Sequence, residues 1–313
     1  MLPRIETPRT RPADTAADDR PREGGPSWMA SNAGLLATHL AVLLFGLVGL
    51  FAKVVALPAI ILVLGRTFFS SAFLGAWLAF KKQSFALKTR GDYALIAVAG
   101  IILAVHWTSF MQSIQVSTVA VGTLTLATFP LFSAVLEPIL FHEKMRVSDI
   151  ACALVMLAGV GFIVDDFSLD GTMAQGVLWG LLSAFTYALL SLANRRFSNG
   201  YPASLVSFYE QATATVVLLP ALFVFKPALS AFDIGMLAVM GVVFTAIAHT
   251  LFISGLRTVK VRTAGIITGL ESVYGVAAAM LFLGEIPGIR EIIGGCIILA
   301  VALYSTLAST RSN

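Results

Sequence analysis

From residue 33 onward the apolar positions are neither alternating nor confined to one helical face; they form unbroken runs about 18–26 residues long, the length an α-helix needs to cross a hydrocarbon core about 30 Å thick. The pattern predicts ten such helices, near 33–52, 57–80, 93–112, 117–141, 148–165, 172–194, 202–225, 232–256, 261–284 and 288–308. Polar punctuation separates them: Lys81-Lys82, Asp165-Asp166, Arg195-Arg196, Lys226-Pro227 and Ile286-Pro287-Gly288. A barrel would need strands that alternate between lipid and lumen. Continuous runs exclude one, because backbone groups in lipid must then be satisfied within each helix. The expected fold class is therefore all-α and integral to a membrane.

Residues 1–32 have a different character. Proline, arginine and acidic residues dominate there, with almost no large apolar side chain before Trp28. Such a stretch cannot bury enough surface to fold, and it lacks the apolar core of a signal peptide. We expect a disordered cytoplasmic tail that is retained. Charged residues make up 12% of the chain against about 25% in soluble proteins, and the tail takes a disproportionate share of them. What remains cannot clothe a water-facing surface, which excludes a soluble enzyme. The formal net charge of +4 does not point to nucleic acid, because the basic residues are scattered through short connections. Cys152 and Cys296 lie within apolar runs and make neither a disulfide framework nor a metal site.

The basic residues do fix an expected orientation. Lys81, Lys82, Lys88, Arg90, Lys144, Arg146, Arg195, Arg196, Arg257, Lys260, Arg262 and Arg311 fall on the side of the tail. The opposite connections hold only Lys53, Lys226 and Arg290, with Asp165, Asp166 and Asp170 among them. By the positive-inside rule both termini face the cytoplasm.

Shifting the chain by 142 residues aligns Phe110 with Phe252, Glu143 with Glu285, Asp149 with Glu291, and Leu157-Ala158 with Leu299-Ala300. The order and length of the spans repeat along with these residues. Five is odd, so the second set must enter the membrane from the opposite side: two inverted five-helix repeats, 33–165 and 172–308. Secondary transporters commonly have this architecture, with the binding site near the midplane between the halves.

Two stretches carry a family resemblance: Ser117–Lys144 (STVAVGTLTLATFPLFSAVLEPILFHEK) and Arg262–Glu285 (RTAGIITGLESVYGVAAAMLFLGE). Each has small and polar residues, an apolar helix, and Glu at the helix end. They resemble the two copies of the EamA-type module of the drug/metabolite transporter superfamily, as do Phe45-Gly46 through Lys53 and Gly65-Arg66. The resemblance implies a secondary transporter, an exporter of small organic metabolites such as amino acids or toxic analogues, in a bacterial inner membrane. The second copy has Glu271-Ser272 where relatives often have Glu-Pro, so a milder helix break is expected there.

Ionisable residues at mid-span cost about 2.5–3.5 kcal/mol on insertion scales and usually face protein or a water-filled cavity. Arg66 lies about 14 Å into its span at 1.5 Å per residue; Glu210 and Glu271 lie at similar depth. The Arg66 guanidinium suits an anionic group such as a carboxylate, or a structural ion pair with Glu210. Glu271 could carry a coupling proton, bind an amine, or cap a broken helix. His106 and His249 could take part in proton coupling, or could be satisfied polar residues between helices. Trp107, Tyr187 and Tyr274 could stack on a flat substrate or simply pack. Glu137 reads as a hinge or cap, Glu143 and Glu285 as structural helix ends. The candidate substrate-binding or coupling set is thus Arg66, His106, Trp107, Glu210, His249, Glu271 and Tyr274.

No phosphate-binding loop, dinucleotide fingerprint, zinc-protease pair or nucleophile elbow occurs. No cofactor or metal is expected. The partners are a small-molecule substrate, the lipid bilayer and, for a coupled mechanism, protons. A membrane-embedded sensor or enzyme using the same cavity without net transport is the alternative.

Overall fold

A computed structural model describes residues 28–141, 147–163, 171–197, 200–256, 259 and 267–309. Residues 1–27, Glu143, Lys144, Arg146, Asp165, Asp166, Asp170, Arg257, Lys260, Arg262 and Arg311 lie outside them, as do the side chains of Glu137, Asp149, Arg195 and Arg196. Every element is helical: α1 (Trp28–Val48), α2 (Phe51–Val54), α3 (Ala59–Phe80), α4 (Arg90–Val116), α5 (Val119–Leu126), α6 (Phe129–Phe141) and α7 (Val147–Ile163). The second half holds α8 (Thr172–Phe197), α9 (Ala203–Leu218), α10 (Ala221–Phe225) and α11 (Ala231–Gly241), followed by a π-helical turn at Val242–Ile247. After it come α12 (Ala248–Leu256), α13 (Glu271–Leu283) and α14 (Ile289–Ser309).

Local chemistry sets the ends. Thr89 and Thr118 accept the Asp92 and Val121 amides at the starts of α4 and α5, and Ser230 with Asp233 forms a capping box on α11. Pro58 and Pro202 precede α3 and α9, and Pro220 splits α9 from α10. Among the described residues seven stretches are long and apolar enough to cross a membrane: Ala33–Val54, Ala59–Phe80, Arg90–Val116, Val119–Leu136, Thr172–Asn194, Ala203–Phe225 and Ala231–Phe252. Ile150–Ile163 and Ile267–Leu283 are shorter apolar helices. Large apolar side chains point outward along these helices; Leu281 is 80% exposed and Phe223 79%. That is the surface of a protein whose solvent is hydrocarbon.

The packing exchanges the two halves. Helix α1 lies against α12 as α8 lies against α4; α4 against α9 as α11 against α3; α1 against α13 as α8 against α5 and α6. The α3·α9 and α7·α14 contacts pair each element with its own counterpart, and α5 packs against α13 across the halves. Two expected spans are interrupted at positions 142 residues apart. Ala127–Thr128 is a turn before α6, and Leu270 is a turn before α13. The break at Glu271 is therefore a real one, and it does not need a proline.

A polar joint ties the halves together at one end of the bundle. Glu285 Oε2 accepts the Val119 amide at 2.9 Å, and Glu285 Oε1 faces Lys53 Nζ at 3.5 Å. Lys53 Nζ also donates to the Ser117 carbonyl at 2.5 Å. Thr118 donates to Glu291 Oε1 at 2.7 Å, and Glu291 Oε2 accepts the Gly288 amide at 2.7 Å. Glu285 lies two residues past the end of α13, beyond the Gly284 C-cap, and caps α5 of the other half.

Candidate functional site

Arg66 is buried on α3, with 3% of its surface exposed. Its backbone carbonyl lies directly under α11: a Cβ on Gly241 would fall 2.7 Å from that oxygen. The close approach brings the π turn beside the guanidinium. Arg66 Nε donates to Thr245 Oγ1 at 2.7 Å, and Thr245 donates in turn to the Met240 carbonyl at 2.9 Å. The guanidinium carbon stands 3.7 Å from the centroid of the Trp107 ring on α4, a cation–π contact in a dry setting.

Glu271 opens α13, where a negative charge is favoured by the exposed amides of the first turn. Its carboxylate is near enough for its charge to act on Arg66 and on Tyr187. His249 on α12 packs 5.0 Å from Phe45 and 6.4 Å from Trp107, ring centre to ring centre. His106 stacks on Tyr187 at 5.1 Å, and Phe129 meets Tyr187 edge-on at 4.8 Å. Its Nδ1 lies 2.9 Å from the Ser183 carbonyl, which can only accept, so Nδ1 carries the hydrogen. Ser183 Oγ donates back to the His106 carbonyl at 3.1 Å. Tyr274 on α13 reaches His39 on α1, with Oη 3.3 Å from Nδ1.

Arg66, His106, Trp107, His249 and Glu271 are therefore drawn into one cluster by helices of both halves, with Tyr274 on the same helix as Glu271. Glu210 is not part of it. Its carboxylate takes a hydrogen bond from Asn194, and its Oε1 finds no partner. The carboxylate whose charge reaches Arg66 is that of Glu271 and not that of Glu210, so the ion pair with Glu210 considered above is not formed. The sequence reading missed Thr245, Ser183 and His39. For Thr245 no signal was legible, because nothing in VVFTAI announces a π turn. Among the described residues no group of three or more His, Cys, Asp or Glu could hold a metal ion.

The arrangement offers a cation with free N–H groups, a carboxylate within its field, and aromatic walls. The profile of the EamA-like transporter family matches this chain twice, over residues 32–165 and 174–307. The chain belongs to the EamA-like transporter family.

Relatives of this family member carry names that agree. An uncharacterized transporter of Bacillus subtilis is 24% identical over 268 residues, 83% of this chain and 85% of that one. The S-adenosylmethionine uptake transporter of Rickettsia prowazekii is 23% identical over 79% of this chain and 82% of its own. The pseudopaline exporter of Pseudomonas aeruginosa is 25% identical over 87% of this chain and 95% of its own. A solved crystal structure superposes with a TM-score of 0.62 at 19% identity, covering 90% of this chain and 99% of that one, which shows the shared fold. The protein is a multi-pass membrane transporter rather than an enzyme.

Proposed function

We propose that this EamA-like protein is a secondary transporter that exports small organic metabolites by alternating access across the bacterial inner membrane. Ten spans form two inverted five-helix repeats, with both termini cytoplasmic. The observation that carries the reading is Arg66. A guanidinium buried at the meeting of the two halves, stacked on Trp107 and within the field of Glu271, is expensive in hydrocarbon. Its free N–H groups suit the carboxylate of a bound solute, and the Glu271 carboxylate suits an ammonium or a coupling proton. A zwitterionic metabolite of amino-acid type matches both charges.

Interrupted spans support the same location. Discontinuous helices place backbone groups at transporter sites, and the breaks at Ala127–Thr128 and Leu270 are related by the repeat. Export is the direction named for the pseudopaline relative, which this chain covers over 95% of its length. His106, Trp107, His249 and Tyr274 would line the path, and Glu210 would act from outside the cluster.

The test is counterflow in proteoliposomes, with labelled S-adenosylmethionine and labelled amino acids as probes. Accumulation of label against an unlabelled internal pool, absent from empty liposomes, is the expected result. Binding of a probe without any counterflow would instead favour a sensor.

A further inference from the structure

The π turn between α11 and α12 gives Thr245 a relation to Arg66 that an ordinary helix could not. In an α-helix a threonine hydroxyl bonds the carbonyl three or four residues back. Thr245 bonds Met240, five residues back, at 2.9 Å, and is fully buried. That bond uses the only hydrogen on the hydroxyl. The oxygen is left as a pure acceptor, and it takes the Arg66 Nε–H at 2.7 Å. Gly241 allows this by letting the turn lie directly on the Arg66 backbone, with no Cβ to hold the helices apart.

We propose that Thr245 is the positioning residue of the substrate site: it fixes the plane of the Arg66 fork and selects the edge that meets the substrate. The inference rests on the transporter reading and deepens it. An arginine offers anions two bidentate edges, one including Nε and one made of the two terminal nitrogens. Thr245 occupies Nε, and Trp107 covers a face at 3.7 Å. Only the end-on edge remains. It presents two parallel N–H groups at the spacing of a carboxylate's two oxygens, and it favours that planar anion, aligned with the fork, over a single-atom acceptor. The π turn is thus a specificity device. π turns embedded in α-helices recur at functional sites, and this one has a stated job: its extra residue brings the Met240 carbonyl within reach of the Thr245 hydroxyl.

Two measurements on the full-length protein test it. The first reads orientation without a substrate: hydrogen exchange at the Arg66 Nε–H in protein labelled with ¹⁵N-arginine, the resonance assigned by its loss in Arg66→Lys. Thr245→Val keeps the side-chain shape and removes the acceptor; it should speed Nε–H exchange, and Thr245→Ser should restore protection. Unchanged exchange in Thr245→Val overturns the proposal. The second reads transport of labelled S-adenosylmethionine by counterflow. Losing a hydrogen bond to a charged group should raise KM roughly tenfold to a hundredfold in Thr245→Val, with maximal rate affected less, and Thr245→Ser should recover the wild-type KM. In an Arg66→Lys background, which has no Nε, Thr245→Val should add no further loss. An equal loss in both backgrounds would mean that Thr245 acts through packing alone, and overturns the proposal. Wild-type protein inert toward this probe and toward amino acids refutes the transport reading, and the exchange measurement then decides Thr245 by itself.

Discussion

Replacing Glu285 should loosen the two halves at their polar joint. The residue accepts the Val119 amide at 2.9 Å, an otherwise orphaned donor at the start of α5, and faces Lys53 at 3.5 Å with both side chains 24% exposed. A hydrogen bond to a charged group contributes about 1.5–3 kcal/mol. A partly exposed ion pair adds about 0.2–1 kcal/mol, discounted for solvent screening. Glu285→Ala should therefore lose about 2–4 kcal/mol. Glu285→Gln keeps an acceptor for Val119 and loses the charge, so its cost should be about 1 kcal/mol. Lys53 also holds the Ser117 carbonyl at the end of α4, where a cation is favoured by the helix dipole. A double-mutant cycle with Lys53→Met should return only the ion-pair coupling, about 0.2–1 kcal/mol. The assay is reversible unfolding by sodium dodecyl sulfate titration in mixed micelles. A Glu285→Ala protein within about 0.5 kcal/mol of wild type, the scatter of neutral surface changes, would refute the capping argument.

Other outcomes follow from the same geometry. Glu271→Gln should abolish pH-driven flux while sparing exchange if the carboxylate carries a coupling proton; driven flux and exchange should fall together if it binds only substrate. Normal transport by a folded Glu271→Gln protein would remove it from the site. Gly294→Leu should disrupt the α7·α14 crossing, since a Cβ there would fall 2.5 Å from the Gly159 carbonyl. Overpacking of this kind costs about 1–3 kcal/mol, read as a lower melting temperature in detergent; an unchanged melting temperature counts against the crossing. Reporter fusions after Arg90 and after Asp170 should report opposite sides of the membrane, and the same side for both would break the proposed topology.

The helices were legible because lipid leaves few options: a long apolar run must satisfy its own backbone, so the run and the helix coincide. Interruptions within a run were harder to read. Pro220 announces its break, but Leu270 does so only through repeat symmetry with Thr128, ahead of Phe129-Pro130. Of the site, the charges and rings could be named from depth alone: Arg66, Trp107, His249 and Glu271 stand where an ionisable or bulky polar group needs a partner. Their pairing could not. Arg66 and Glu210 are near-equivalents in the repeat, which suggests a pair, yet side-chain direction around each helix sends Arg66 toward Thr245 in the π turn and into the field of Glu271, and leaves Glu210 with Asn194. Thr245 was invisible for a related reason. Its role comes from one extra residue in a turn, a register effect that composition and hydropathy do not encode.

Counterflow by the Arg66→Gln and Arg66→Lys proteins tests the central claim most directly. Glutamine removes the cation, while lysine keeps the charge and loses the planar fork. With labelled S-adenosylmethionine or amino acid as probe, whichever the wild-type protein accumulates, Arg66→Gln should abolish counterflow while the protein inserts and keeps its helical content. Arg66→Lys should transport with a KM raised at least tenfold, the equivalent of about 1.4 kcal/mol. A folded Arg66→Gln protein that accumulates the probe as the wild type does would contradict the account.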